Sequence, residues 1–207
     1  MKSVFPDSIN YCNFRNNPEF KSSNIRTVFN GTETITLNLS KSTNSIILDA
    51  AELTIKKCHA VQGTKIISAK PSINEKNERL TIKLAKKIKG KAKLCIEFTG
   101  ILNDRLLGFY KSQYKDKKGR TKYLATTQFE AADARRAFPC WDEPAVKATF
   151  DVSLLVDKHL DAISNMPVTS KKNVGSKILY KFDRTPIMST YLLYLGVGEF
   201  EYLYGKL

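Results

Sequence analysis

The seven residues TITLNLS, Thr34 to Ser40, alternate apolar and polar without a break. Ile35, Leu37 and Leu39 fall on one side of an extended chain and Thr34, Thr36 and Asn38 on the other, the two-residue period of a strand with one buried face. The pattern recurs in RLTIKLA (Leu80, Ile82, Leu84), KLCIEF (Leu94, Ile96, Phe98), TFDVSLLV (Phe150, Val152, Leu154, Val156) and ILYKFD (Ile178, Tyr180, Phe182). Turn-forming residues punctuate these runs at Asn30-Gly31, Asn74 to Asn77, Lys89-Gly90 and Lys118-Gly119. Short strands spaced in this way predict an all-β, largely antiparallel chain folded as a layered sheet or β-sandwich.

No Ser/Gly/Pro linker and no internal repeat divides the 207 residues, so a single domain over 1–207 is expected. With 42% apolar and 10% aromatic residues the chain has enough to build a sizeable core. The best helix candidate is short. Glu130 to Ala137 is alanine-rich and runs into Phe138-Pro139, which should stop it. The final stretch, YLLYLGVGEFEYLYGKL, is apolar and strand-like up to Leu207, as though a further domain should follow.

The net charge of +14 raises nucleic acid as a partner, yet the excess is mostly lysine, gathered in KLAKKIKGKAK and KDKKGRTK. Lysines in turns and at strand flanks read as a solvated face that guards strand edges, and no nucleic-acid signature accompanies them, so nucleic acid is not expected as a partner. Cys12, Cys58, Cys95 and Cys140 are far apart in sequence, and MKSVFPDSINYCNF is broken by Pro6, Asp7 and Asn10, so no apolar leader is expected. Reduced thiols, a cytoplasmic location and no membrane partner follow as expectations, since no apolar run is long enough for a spanning segment.

His59 in KCHAV and His159 in DKHLD are a hundred positions apart, and neither begins an H-E-x-x-H pair; neither is read as a metal ligand. GVGEF at Gly196 lacks the remaining glycines of a dinucleotide loop. One stretch stands out against this background: TTQFEAADARRAFPCWDEP, Thr126 to Pro144, crowds charges around Phe138, Cys140 and the only tryptophan, Trp141. Asp133, Arg135, Arg136, Asp142 and Glu143 have matching signs for a half-buried ion-pair cluster, with Pro139 and Pro144 fixing a corner. Cys140 reads as a small buried hydrophobe rather than a nucleophile. On residue chemistry alone, Glu130 is an acid at the start of a short helix, where the macrodipole favours it.

Extended to Leu154, this stretch resembles the N-terminal domain hallmark of the aminopeptidase N-like zinc metallopeptidases, the gluzincin aminopeptidase family. GFYKSQY (Gly108 to Tyr114), ISNMPV (Ile163 to Val168) and FDRTPIMSTYLLYLGVGEFE (Phe182 to Glu201) are similar to that family in the same order. The resemblance implies a saddle-shaped β-domain that precedes a thermolysin-like catalytic domain bearing G-x-M-E-N, H-E-x-x-H and a zinc-ligand glutamate, none of which occurs here. It implies that zinc is bound by that other domain and that this chain holds no catalytic or metal residue and is inactive alone. It also implies substrate-binding roles for Glu130, which meets the free α-amino group of a peptide, and for Gln128, close to the peptide's first residue. The partners implied are a peptide N-terminus and the catalytic domain of the same polypeptide. The alternative is a non-catalytic β-sandwich module whose lysine-rich face meets nucleic acid or another acidic partner.

Overall fold

A computed structural model describes residues 5–16 and 28–202. The alternating runs are strands, and the fold is all-β. Eight strands form the main sheet: β1 (Phe5–Asn16), β2 (Val28–Asp49), β3 (Leu53–Gln62), β4 (Lys65–Asn74), β5 (Arg79–Ile101), β9 (Phe150–Asp157), β11 (Val168–Val174) and β12 (Lys177–Phe182). Their order is β11-β12-β9-β1-β2-β5-β3-β4. A four-stranded sheet, β10-β14-β7-β6, comprises β6 (Gly108–Lys115), β7 (Thr121–Gln128), β10 (Asp161–Ser164) and β14 (Leu195–Gly198). The short strands β8 (Lys147–Ala148) and β13 (Met188–Ser189) pair by themselves. Pairing is antiparallel except between β1 and β9, which run parallel. β1, β3, β4, β6 and β7 were not foreseen in the sequence; the last residues of the apolar C-terminal stretch, from Leu203, lie outside the described residues.

Two of the expected turns are not chain reversals. β2 and β5 are unusually long and pair from Val28 opposite Ile101 to Asp49 opposite Arg79, with register shifts between Leu39 and Ser45. Lys89-Gly90 lies inside β5, where Gly90 adopts φ +76° and supplies a local irregularity rather than an end. Asn30-Gly31 lies inside β2. Gly31 is needed there for space: a Cβ on it would stand 2.2 Å from the Phe98 ring, which covers it from the partner strand. The expected turns at Asn74 to Asn77 and at Gly119 are present, the first as a 3-10 turn capped by the Asn74 side chain and the second with φ +74°.

The core follows the alternation. Ile35, Leu37 and Leu39 from β2, Leu80, Ile82, Leu94, Ile96 and Phe98 from β5, and Phe150, Val152, Leu154 and Val156 from β9 are all buried. A fully buried Leu, Ile or Phe contributes roughly 1.5–3 kcal/mol, so this face drives folding. One position breaks the rule. Glu33, between Gly31 and Ile35 on the buried face of β2, is 2% exposed, and neither carboxylate oxygen has a hydrogen-bond partner among the described residues. Burial pushes its carboxyl well above the usual carboxylate range.

Candidate functional site

β7 carries the chain to the site and is fixed on both sides as it ends. Gln128 sits opposite Gly108 in β6, the buried Thr127 hydroxyl accepts a hydrogen bond from the Leu195 backbone N–H at 3.0 Å, and the Thr126 hydroxyl donates to the Tyr194 hydroxyl at 3.1 Å. Phe129 then plunges into the core, 1% exposed, and meets Phe138 edge-on at 5.9 Å between ring centroids. Gln128 and Glu130 flank this anchor and are exposed. After Glu130 the chain turns, through a cis peptide bond to Ala131, and the Asp133 N–H closes the turn on the Phe129 carbonyl at 2.9 Å.

The helix expected over Glu130 to Ala137 is narrower than its alanines suggested: only Ala134–Arg136 is helical, as a 3-10 turn. Its backbone is held by side chains from outside. Asp142, 4% exposed, accepts from the Arg135 N–H at 3.1 Å and from its Nε at 3.0 Å through Oδ2, and from the Thr190 hydroxyl at 3.1 Å through Oδ1. Glu130 therefore lies four residues ahead of the helical turn, and the macrodipole does not account for it.

The ion-pair cluster exists, and it is larger than the local sequence showed. Arg136 pairs with Asp133 at 2.8 Å, Glu52 at 2.8 Å and Glu78 at 3.0 Å; Arg135 reaches Glu78 at 3.2 Å as well as Asp142. Asp49 adds a buried carboxylate that accepts the Asp142 N–H at 2.9 Å and pairs with Arg79 at 3.1 Å. A hydrogen bond from Arg105 holds Glu52 below the usual carboxylate range. Glu143, expected in the cluster, is exposed and makes no ion pair among the described residues. Glu52, Glu78 and Asp49 lie more than fifty residues upstream, and no spacing signal announces them. Glu52 and Glu78 both adopt positive φ, 58° and 51°, at the ends of strand connections.

Adjacent arginines surrounded by acids leave no free anion site, so the corner is structural. Gly108 belongs to it: at φ +69°, a Cβ there would come within 2.8 Å of Arg136 Cβ. Cys140 is fully buried, its thiol pushed well up by burial, and Trp141 packs half-buried against the core. Cys58, Cys95 and Cys140 are free thiols. What the corner leaves available is Gln128 and Glu130, whose side chains make no hydrogen bond or ion pair with the described residues. They line neither the hollow of about 700 Å³ under the β6–β7 hairpin nor the cleft of about 350 Å³ beside Arg136, and stand open to whatever faces them.

The family model for the Peptidase M1 N-terminal domain matches residues 9–192. The chain belongs to this family of aminopeptidase N-terminal domains. It is 40% identical over 179 residues to Aminopeptidase M1-D of Oryza sativa subsp. japonica, covering 86% of this chain and 20% of that protein. It is 43% identical over 180 residues to the puromycin-sensitive aminopeptidase of Caenorhabditis elegans, covering 84% of this chain and 19% of that protein. Aminopeptidase M1 of Arabidopsis thaliana is 40% identical over 185 residues, with 86% and 21% covered. The chain thus spans about a fifth of the length of these curated relatives.

Proposed function

We propose that this chain is one domain, residues 1–207, that anchors the substrate of a zinc-dependent aminopeptidase whose catalytic centre lies in the remainder of a longer polypeptide. Glu130 pairs with the free α-ammonium of a peptide, and Gln128 lies beside the peptide's first residue. The observation that carries this reading is the exposed, unengaged Glu130 carboxylate on a turn pinned by buried Phe129 and Ala134. An exopeptidase must measure from the end of its substrate. A carboxylate held at a fixed point does so, because it pairs with an ammonium that internal peptide bonds lack.

The donors among the described residues do not fit a zinc site. His59 is on β3 and His159 follows β9, and among the described residues no three His, Cys, Asp or Glu side chains converge to hold a metal. In this reading the metal belongs to the other domain, where it supplies an activated water and polarises the scissile carbonyl. The work of this chain is positioning: Glu130 accepts the ammonium hydrogens, Thr127 and Phe129 keep its turn from shifting, and the open face around it takes its remaining walls from the catalytic domain. The reading places the protein in the cytoplasm.

The test is a chimera in which this domain replaces the matching fifth of a full-length relative. Truncating one partner of a desolvated charge pair costs about 2–5 kcal/mol, so Glu130→Ala should lower kcat/KM by roughly thirty- to several-thousand-fold. Zinc content and thermal stability should not change. Glu130→Gln should lose less, since its amide oxygen still accepts. Full activity in a folded, zinc-loaded Glu130→Ala chimera would reject the role.

A further inference from the structure

The far end of the main sheet carries charge of one sign. There is no Asp or Glu between Thr34 and Leu48, between Leu53 and Asn74, or between Leu80 and Ile96, and these segments form adjacent parts of β2, β3, β4 and β5. Six exposed lysines, Lys83, Lys86, Lys87, Lys89, Lys91 and Lys93, stand on β5, and none forms an ion pair among the described residues. Edge protection does not explain all of them: Lys83 and Lys93 lie where β5 pairs on both sides, with β2 and with β4 or β3, whereas Lys86 to Lys91 fall between the reaches of β4 and β3.

Two apolar side chains are exposed among these lysines. Ile66, 74% exposed, lies on β4 opposite Val61, which in turn lies opposite Lys93; Ile47, 44% exposed, follows Ser45 on the same face of β2, and Ser45 lies opposite Lys83. What is missing is equally informative. Between Phe29 and Phe98 the sequence has no Phe, Tyr or Trp, and Arg79, at the border of this end, is held by Asp49 at 3.1 Å.

Protein interfaces favour aromatic residues and arginine and avoid lysine. Sequence reading on nucleic acid uses bidentate arginine or stacked aromatics. A lysine-rich, aromatic-free face with aliphatic footholds matches an anionic lipid surface, where each lysine adds attraction and a buried aliphatic group adds a second signal. We propose that this end of the sheet adheres peripherally to anionic membranes, lysines against the headgroups and Ile66 in the interface. It does so without a spanning segment, and the expectation of no membrane partner rested on spans alone.

Co-sedimentation of the chain with vesicles of phosphatidylcholine, with and without phosphatidylserine, tests this at low and physiological salt. Binding should require phosphatidylserine. Replacing both Lys91 and Lys93 by Gln should weaken it about thirtyfold. Ile66→Ser, at an exposed position where folding is not at stake, should weaken it about tenfold and leave duplex DNA binding unchanged. Absence of binding to phosphatidylserine vesicles at low salt would overturn the proposal. So would vesicle binding indifferent to Ile66, or DNA bound more tightly than vesicles through the same lysines, which would assign the face to nucleic acid.

Discussion

Glu33 and Glu130 are acids in opposite circumstances. Among the described residues, Glu130 is exposed and unpaired at a turn, where the proposed substrate ammonium would meet it; Glu33 is buried without a hydrogen-bond partner among them. Because burial raises the folded-state pKa of Glu33 above its unfolded value of about 4.3, the folded chain holds a proton that the unfolded chain has released once the pH exceeds that value. Its contribution to stability is intact below about pH 4 and is lost as the pH rises towards the folded pKa. Glu33→Leu should therefore be more stable than the parent near neutral pH by roughly 1–3 kcal/mol, with the gap narrowing on acidification, as denaturant midpoints at several pH values would report. An unchanged gap would mean that Glu33 is not protonated in the fold. Cys140, also sealed, should react with a thiol reagent in the native chain far more slowly than half-exposed Cys95; comparable rates would contradict its burial.

Among the elements, the charged corner and the long β2–β5 pair bear the most testable weight. Asp142 joins the 3-10 turn, through Arg135, to Thr190 in another segment, so Asp142→Ala takes the acceptor from the Arg135 N–H and Nε and from the buried Thr190 hydroxyl, leaves Arg135 to Glu78 and the more distant Asp49, and should cost about 1–3 kcal/mol in denaturant unfolding. A loss below ~1 kcal/mol would mean that the corner is looser than its hydrogen bonds imply. Gly31→Ala drives a methyl group into the Phe98 ring and should cost roughly 1–3 kcal/mol by the same measurement. The strands were legible because alternation writes burial directly into sequence: Ile35, Ile82 and Val152 all face the core as their spacing requires. Their lengths were not legible. Gly31 and Gly90 carry turn chemistry, but in the fold one clears space for a ring and the other bends a continuous strand, and only the partner strand decides between a turn and a bend. The 130–137 helix was overread for a related reason. Alanine favours helix weakly, and the tertiary bonds of Asp142 and the anchoring of Phe129 override it.

At the scale of the whole molecule, the charged corner was legible from the charge-dense stretch, while its full membership was not. Arg135 and Arg136 read as members of an ion-pair cluster, and further acidic partners at Asp49, Glu52 and Glu78 come from other parts of the chain. Once those are placed, the corner is scaffold; Gln128 and Glu130 stand exposed beside it, and their substrate-binding role is the proposal to be tested. The purified 207-residue chain should hold no stoichiometric zinc; one tightly bound zinc per chain would contradict the proposal that the metal centre lies elsewhere. The most direct test of the central claim is the contact between Glu130 and a substrate's ammonium. Inhibition constants of a dipeptide and of its des-amino counterpart should be measured on the chimera and on its Glu130→Ala variant. The account predicts that the parent prefers the amine form by roughly thirty- to several-thousand-fold and that the variant loses most of that preference. An undiminished preference in the Glu130→Ala variant would contradict it.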